Sequence, residues 1–148
     1  MKVTIKHRIT NAIIIEGDYE SIKEALEKNH CAYLGDADLR GADLRGADLS
    51  GYQICPETGS FDAWKALVGG VIVKIRIPAK AKRTSSLIGR KCRAEFVKVL
   101  KGNGEGRYDG TAYTEGQITR ADSFDPDPRV ECSHGIHFFI TKKEAEEY

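Results

Sequence analysis

ADLRGADLRGADLSG, residues 37–51, is the stretch that decides the fold of the first third of this 148-residue chain. Alanine and leucine recur at a strict interval of five residues, which makes Leu39, Leu44 and Leu49 equivalent positions. Neither the 3.6-residue period of a helix nor the two-residue period of a strand divides five. The chain is therefore predicted to turn a corner every five residues, as repeat architectures with a fixed short period do.

This repeat resembles the pentapeptide-repeat family, whose pattern is A(D/N)LXX. The resemblance implies a right-handed, four-sided β-helix in which the leucine fills the axis and the alanine packs beside it. Extending the register back to Ala32 and Leu34 gives four pentapeptides, enough for one coil over residues 32–54. Because a single coil exposes its repeat ends, the pattern also favours a homo-oligomer.

The residues before the repeat are predicted to cap the coil. Two β-branched runs, VTIKHRI and AIIIEGD, are separated by Thr10 and Asn11, which indicates a β-hairpin. Ser21 and Glu24 then form a capping box, which predicts a short helix ending near Lys28.

The rest of the chain reads as a strand-rich domain. The overall prediction is an α+β fold in which an amino-terminal hairpin and helix (1–31) cap one pentapeptide coil (32–54), itself packed on a small strand-rich domain (55–148). Within that domain, the predicted elements are a short amphipathic helix in FDAWKALVGG (61–70), a strand in VIVKIRIPAK (71–80), a basic loop in AKRTSSLIGRK (81–91), a strand in CRAEFVKVL (92–100), a buried strand in GIHFFI (135–140) and a helix from Thr141.

The carboxy-terminal half resembles the uncharacterised domain that accompanies pentapeptide repeats in phage and prophage proteins. The residues that carry this resemblance are RTSSLIGRKCRAEFVKVL (83–100), YTEG (113–116) and ECSHGIHFFITKKEAEEY (131–148). The resemblance implies a bacteriophage accessory protein and no reaction mechanism. Phage genes of this size and type are often directed at host defences, and this context is the ground for expecting such a role.

Targeting signals are not evident, so the predicted location is the cytoplasm of the host cell. No stretch approaches the roughly 18 apolar residues that a membrane span needs, and the amino terminus lacks an apolar signal core. The four cysteines form no CxxC pair, and they are interpreted as reduced, mostly buried thiols.

The net charge of +1 conceals a strong segregation. Residues 74–101 carry ten Lys and Arg against one Asp or Glu, whereas the blocks on either side are acidic. Such a concentration favours an anionic partner, although pairing of these cations with the acidic flanks is an equal alternative. Double-stranded nucleic acid is disfavoured because it requires a broad basic face, and the remainder of the chain is acidic.

The basic segment is the predicted ligand site. Arginine binds phosphate oxygens with two parallel hydrogen bonds, and serine hydroxyls supply further donors. A solvated, salt-bridged loop is the alternative reading. The predicted ligand-binding residues are Arg83, Ser85, Ser86, Arg90, Lys91 and Arg93, with Tyr113 and His137 as further members.

Cys132, His134 and His137 form a C-x-H-x-x-H pattern that could supply zinc ligands. No fourth ligand stands at a recognisable spacing, so neither a metal nor any other cofactor is predicted. Cys132 and His137 could instead form a nucleophile pair, oriented by Asp122 or Asp125. A buried, inert cysteine is the commoner outcome, and no catalytic residue is assigned.

The function predicted from the sequence is a non-catalytic phage accessory protein that binds an anionic small molecule. A nucleotide or cyclic nucleotide that signals host defence is the ligand considered, which the protein would sequester. Two alternatives stay open: an inhibitor that binds a host protein, and a small hydrolase or transferase that uses Cys132 and His137.

Overall fold

The computed structural model describes residues 1–30, 32, 34–87 and 89–148. Within these ranges the chain is a mixed α+β protein with few helices and many strands. It divides into two compact units, an N-terminal unit of Met1–Gln53 with Leu87–Gly89, and a C-terminal unit of Ile54–Ser86 with Arg90–Tyr148. No helix in the described ranges is both long and apolar enough to cross a membrane.

The N-terminal unit begins with the predicted hairpin. Strands β1 (Lys2–Lys6) and β2 (Ile13–Asp18) pair in antiparallel fashion, with Ile5 opposite Ile15. Asn11 adopts a positive φ of 61° in the connecting turn, a conformation that asparagine tolerates better than most residues. Helix α1 (Ile22–Lys28) follows.

The N-cap of α1 confirms the capping motif predicted at Ser21. Its hydroxyl accepts a hydrogen bond from the Glu24 amide at 3.1 Å, which satisfies one of the free amides of the first turn. Ala25 and Leu26 on the same helix are fully buried. Helix α1 is therefore held by its cap at one end and by apolar packing along one face.

Replacing Ser21 with alanine is expected to lower the free energy of unfolding by about 1 kcal/mol, because the Glu24 amide loses its acceptor. Chemical denaturation of both proteins measures this difference. Ser60→Ala, at an exposed serine of the C-terminal unit, is the control and should change stability by less than about 0.5 kcal/mol. Equal stability of the Ser21→Ala variant and the wild type would contradict the capping role.

The pentapeptide stretch turns every five residues, as its sequence predicts. The amide of the alanine or tyrosine that opens each repeat donates to the carbonyl of the leucine three residues before it, at 2.9–3.1 Å. The four hydrogen bonds are Ala37 to Leu34, Ala42 to Leu39, Ala47 to Leu44 and Tyr52 to Leu49. Leucine and alanine side chains of the repeat share one apolar cluster with β1, β2 and α1. The hairpin, the helix and the repeat therefore bury a common core.

The C-terminal unit contains two antiparallel sheets. The first has the order β10–β7–β4–β3 and the second the order β11–β6–β5, with a separate hairpin β8–β9. The bounds are β3 Phe61–Ala66, β4 Ile72–Ile77, β5 Arg83–Ser85, β6 Cys92–Ala94, β7 Phe96–Lys101, β8 Gly104–Glu105, β9 Ala112–Tyr113, β10 Ile118–Arg120 and β11 Ile136–Phe138, and helix α2 spans Lys142–Glu147.

One core lies between these strands. Val73, Ile75 and Ile77 of β4 are fully buried, which confirms the predicted alternation of that strand. Phe138 of β11 is also fully buried, with its ring centroid 5.8 Å from that of Phe61 on β3. The two sheets thus contribute to a single cluster of apolar side chains.

Three sequence predictions for this unit are wrong. FDAWKALVGG contains strand β3 rather than a helix. Its inward-facing side chains alternate along the strand, and six of its residues pair with β4. The segment 81–91 contains strand β5 within the predicted loop. CRAEFVKVL forms two strands, since β6 pairs with β5 and β11 whereas β7 pairs with β4 and β10.

The cysteines of the described ranges are free thiols. Cys55 and Cys92 are buried and Cys132 is exposed. The hydrogen bond with the Cys55 thiol, followed by burial, raises the pKa of Cys92. Cys31 lies outside the described residues.

Candidate functional site

The C-terminal unit contains a cavity of about 810 Å³. Its walls come from four places: strand β3, the β8–β9 hairpin over residues 106–113, the segment 120–122 and the segment 132–137. Lys91 and Tyr148 complete the lining. This volume lies within the usual range for small-molecule sites, roughly 300–1,000 Å³.

Lys65 enters the cavity from near the C-terminal end of β3. Alternation along the strand places it on the same face as Phe61 and Ala63, where a third apolar side chain would be expected. Its Nζ donates a hydrogen bond to the main-chain oxygen of His137 at 2.9 Å, and it lies 5.4 Å from the centroid of the Tyr113 ring.

The surroundings of Lys65 disfavour its charged form. Burial lowers the pKa of Lys65 to about 8, and the positive charges of Lys91 and Arg107 act in the same direction against the opposing charge of Asp109. No carboxylate within the described residues forms an ion pair with Lys65. The Lys65 amine therefore loses its proton more readily than the amine of a lysine in water.

Lys91 is the second lysine of the cavity and is buried, with only 7% of its surface exposed. Its Nζ donates to the hydroxyl of Tyr148 at 2.7 Å and to Sγ of Cys132 at 3.4 Å. Burial is the largest single effect and opposes the charged form, but the interactions with Tyr148 and Cys132 together outweigh it, and the pKa of Lys91 is raised. Lys91 therefore keeps its proton more firmly than an ordinary lysine, whereas Lys65 gives up its proton more readily.

Two arginines stand at the exposed rim. Nε of Arg107 donates to the carbonyl of Leu67 at 3.2 Å, and its guanidinium lies 5.3 Å from the centroid of the Tyr148 ring. The guanidinium of Arg120 lies 4.3 Å from the centroid of the Phe96 ring. These contacts hold the two side chains in place and do not neutralise their positive charges.

The two carboxylates that line the cavity have other partners. Asp122 lies 3.2 Å from Nδ1 of His134, and the carboxylate of Asp109 accepts the Thr111 amide at 3.0 Å. The pKa of Asp109 is lowered chiefly by that amide. In the described part of the chain, no lysine or arginine of the lining pairs with a carboxylate. The cavity therefore presents four cations that carry no ion pair of their own.

His137 lies on β11, between two residues of the apolar core. Burial lowers the pKa of His137 to about 4, and the charges of Lys91, Lys65 and Arg93 add to the effect. Its ring is therefore neutral at pH 7. Its Nε2 is buried and has no hydrogen-bond partner within the described residues.

The metal and nucleophile patterns gain no support from the geometry. No group of three or more His, Cys, Asp or Glu that could hold a metal ion occurs among the described residues. Neither candidate orienting carboxylate hydrogen-bonds His137 in that part of the chain, because Asp122 contacts His134 and Asp125 accepts the hydroxyl of Ser133 at 2.6 Å.

Three of the eight residues predicted to bind ligand line the cavity: Lys91, Tyr113 and His137. The other five do not line it. Arg83 donates to main-chain carbonyls of Pro56, Gly59, Pro78, Ala79 and Ala81, and Arg90 pairs with Glu144 at 3.1 Å. Ser85 and Ser86 are buried, and the Ser85 hydroxyl accepts the Ile54 amide.

Arg93 has a structural role and does not line the cavity. It is 2% exposed, and its guanidinium donates to the main-chain carbonyls of Asp125, Asp127 and Val130. The segment that it holds leads directly into the cavity wall at 132–137. Gly135 in that wall has a φ of +139°, and a Cβ there would lie 3.1 Å from Cβ of Arg93.

Sequence reasoning missed Lys65, Arg107 and Arg120. The predicted helix over residues 61–70 gave no reason to place Lys65 in a site, because the inward position of Lys65 depends on the two-residue period of a strand. The alternation of Phe61, Ala63, Lys65 and Leu67 would have placed a lysine in an apolar row, which is an uncommon and informative arrangement. Arg107 and Arg120 stand outside the basic block, and no local pattern identifies them.

The fold and the cavity define a two-part protein, a pentapeptide repeat followed by a strand-rich domain with a cationic pocket. A family model matches residues 52–145, and the chain belongs to that family, a family of unknown function (DUF5758). A model of eight pentapeptide repeats matches residues 31–51. No curated protein and no solved structure matches the chain.

Proposed function

We propose that the cavity of the C-terminal unit binds an anionic small molecule. The observation that carries this proposal is the set of four lining cations that lack a carboxylate partner within the described residues. Lys91 is buried and Lys65 is half-buried, and removing a cation from water is costly unless it is paired. An anionic ligand would supply the missing charge.

The proposed ligand has the size of a nucleotide or smaller. The cavity volume accommodates such a molecule, and Arg107 and Arg120 at the rim offer planar forks that suit phosphate or carboxylate oxygens. The rim also carries Tyr108, whose hydroxyl lies 3.5 Å from that of Tyr148, so aromatic rings are close to the charged groups. A nucleotide signal that the protein sequesters is one ligand of this class.

Thermal-shift measurements against nucleotides, cyclic nucleotides, sugar phosphates and dicarboxylates test the proposal. A ligand at one hundred times its dissociation constant contributes about 2.7 kcal/mol, which corresponds to a rise in Tm of roughly 5–10 °C. Lys91→Met should reduce that rise to less than half. Lys98→Met, which removes an exposed charge from β7, should leave it unchanged.

Two results would reject the proposal. The first is that no anion in the panel shifts Tm, which would favour a protein partner instead. The second is that the two variants lose the shift equally, because binding would then depend on overall charge rather than on the cavity. Recovery of the ligand unchanged after incubation would separate sequestration from catalysis.

For residues 32–54 we propose a structural role as one turn of a right-handed, four-sided β-helix. Four turn hydrogen bonds at intervals of five residues support it. The phage origin, the role against host defence and the homo-oligomer remain predictions from the sequence.

A further inference from the structure

The two lysines that line the cavity differ in their contacts, and this difference gives their amines different reactivity. The ammonium of Lys91 is fixed by Tyr148 and Cys132, at 2.7 and 3.4 Å. Within the described part of the chain, Nζ of Lys65 has one hydrogen bond, to the main-chain oxygen of His137. Since that bond uses a single hydrogen, the Lys65 amine can lose a proton without losing its position.

Lys65 is also carried by a rigid element. It lies on β3, which pairs with β4 along its whole length, and the adjacent Trp64 forms a bridge with Phe139 beyond the end of β11. The stem of Lys65 therefore enters the cavity from a fixed direction. A reactive group on a sheet strand is placed more precisely than one on a loop.

We infer that Lys65 is an amine nucleophile that forms an imine with an anion bearing an aldehyde or ketone. The inference rests on the proposed function, because Lys91, Arg107 and Arg120 are the groups that would hold the anionic end. The carbonyl carbon would then face Nζ of Lys65. Small 2-oxo acids and phosphorylated aldehydes both have this chemistry.

The reaction needs no oxidant and no other co-reactant. The neutral amine of Lys65 attacks the carbonyl carbon, and the resulting carbinolamine loses water. The amine gives up two hydrogens and the carbonyl gives up its oxygen, so one C=N bond and one water molecule are formed. A partly desolvated lysine next to other cations is an established way to obtain a nucleophilic amine.

The pH dependence follows from the groups around Nζ. With a pKa of about 8, Lys65 has about a tenth of its amine neutral at pH 7, whereas an ordinary lysine has less than about a thousandth. Imine formation should therefore increase as the pH rises through about 8, where half of the amine is neutral, and level off roughly one pH unit higher. The charged and titratable groups that face Lys65 are Lys91, Arg107 and Asp109, Tyr113 of β9 and His137 of β11.

Reductive trapping tests the inference. The full-length protein is incubated with glyoxylate, pyruvate, 2-oxoglutarate or glyceraldehyde 3-phosphate and sodium cyanoborohydride, and the modified peptides are identified by mass spectrometry. We expect one adduct, at Lys65, formed at least ten times faster than at Lys98. Acetaldehyde, which carries no charge, should show a smaller preference for Lys65, because it retains only the part that comes from the larger neutral fraction of this amine.

Variants separate this inference from the proposed function. Lys65→Arg keeps the positive charge but has no amine of this reactivity, so it should lose the adduct and still bind oxalate or inorganic phosphate in a thermal-shift assay. Lys98→Arg should keep both. Wild-type protein that binds these anions while Lys65 is labelled no faster than Lys98 would overturn the inference alone. Absence of both binding and labelling would overturn the proposed function with it.

Discussion

Replacing Lys65 with methionine is expected to stabilise the unliganded protein at pH 7 by about 2 kcal/mol. Burial lowers the pKa of Lys65 from its ordinary value of 10.5 to about 8, which corresponds to a cost of roughly 3 kcal/mol for the charged form in the folded state. Methionine avoids that cost, although the His137 carbonyl loses its donor, which costs about 1 kcal/mol. Chemical denaturation at several pH values measures the difference.

The stability gain has a defined pH dependence. Below pH 8 both the folded and the unfolded wild type hold the proton of Lys65, so its full cost is present. Between pH 8 and 10.5 the unfolded chain binds more protons than the folded protein, and the wild type becomes relatively more stable as the pH rises. The advantage of Lys65→Met should therefore shrink across this interval.

Lys74→Met is the matched control on the neighbouring strand. Lys74 is partly exposed and lies 3.6 Å from Asp62, so its replacement should change stability by less than about 1 kcal/mol. A Lys65→Met variant that is less stable than the wild type at pH 7 would mean that Lys65 is a structural residue. A Lys65→Met variant that is more stable than the wild type would indicate that Lys65 serves binding or catalysis, because functional residues commonly reduce stability.

Arg93→Met is expected to destabilise the protein by about 3 kcal/mol. The variant removes the donors for three main-chain carbonyls in segment 125–130, and buried acceptors without partners each cost about 1 kcal/mol or more. The same segment precedes the cavity wall at 132–137, so ligand binding should weaken as well. Denaturation midpoints and amide hydrogen exchange over residues 125–133 measure the two effects.

Arg76→Met serves as the control for Arg93→Met. Arg76 lies on β4 with its guanidinium half exposed and paired with Asp62 at 2.8 Å, and such a pair contributes little. We expect a loss of less than about 1 kcal/mol and unchanged exchange in the segment. Similar losses in the two variants would show that the carbonyl contacts of Arg93 do not organise this part of the molecule.

Several elements could be predicted because their causes are local. Leucine and alanine at intervals of five led to the turns of the repeat, and the hydroxyls at Ser21 and Thr141 marked the starts of both helices. Strand β4 followed from its alternation of valine and isoleucine with charged residues. In each case neighbouring residues decide the structure, so a window of a few residues is sufficient.

The candidate site could be predicted only in part. The sequence placed Lys91, Tyr113 and His137 in one site, and the cavity contains all three. It also placed Arg83 and Arg93 there because both belong to the basic block, whereas each guanidinium is directed to main-chain carbonyls. A count of charges along the chain does not distinguish a cation that binds a ligand from one that satisfies buried acceptors.

By itself the sequence determined the repeat, its five-residue turns, the capped helices and the presence of a strand-rich half, because these depend on periodicity and on caps within a few residues. Only the tertiary structure decided that Lys65 of β3 and Lys91 before β6 share one cavity. It also decided that the two amines meet different partners. The reason is that pairing between distant strands and removal of water depend on residues far apart in the chain, and these in turn set the charge of each lysine.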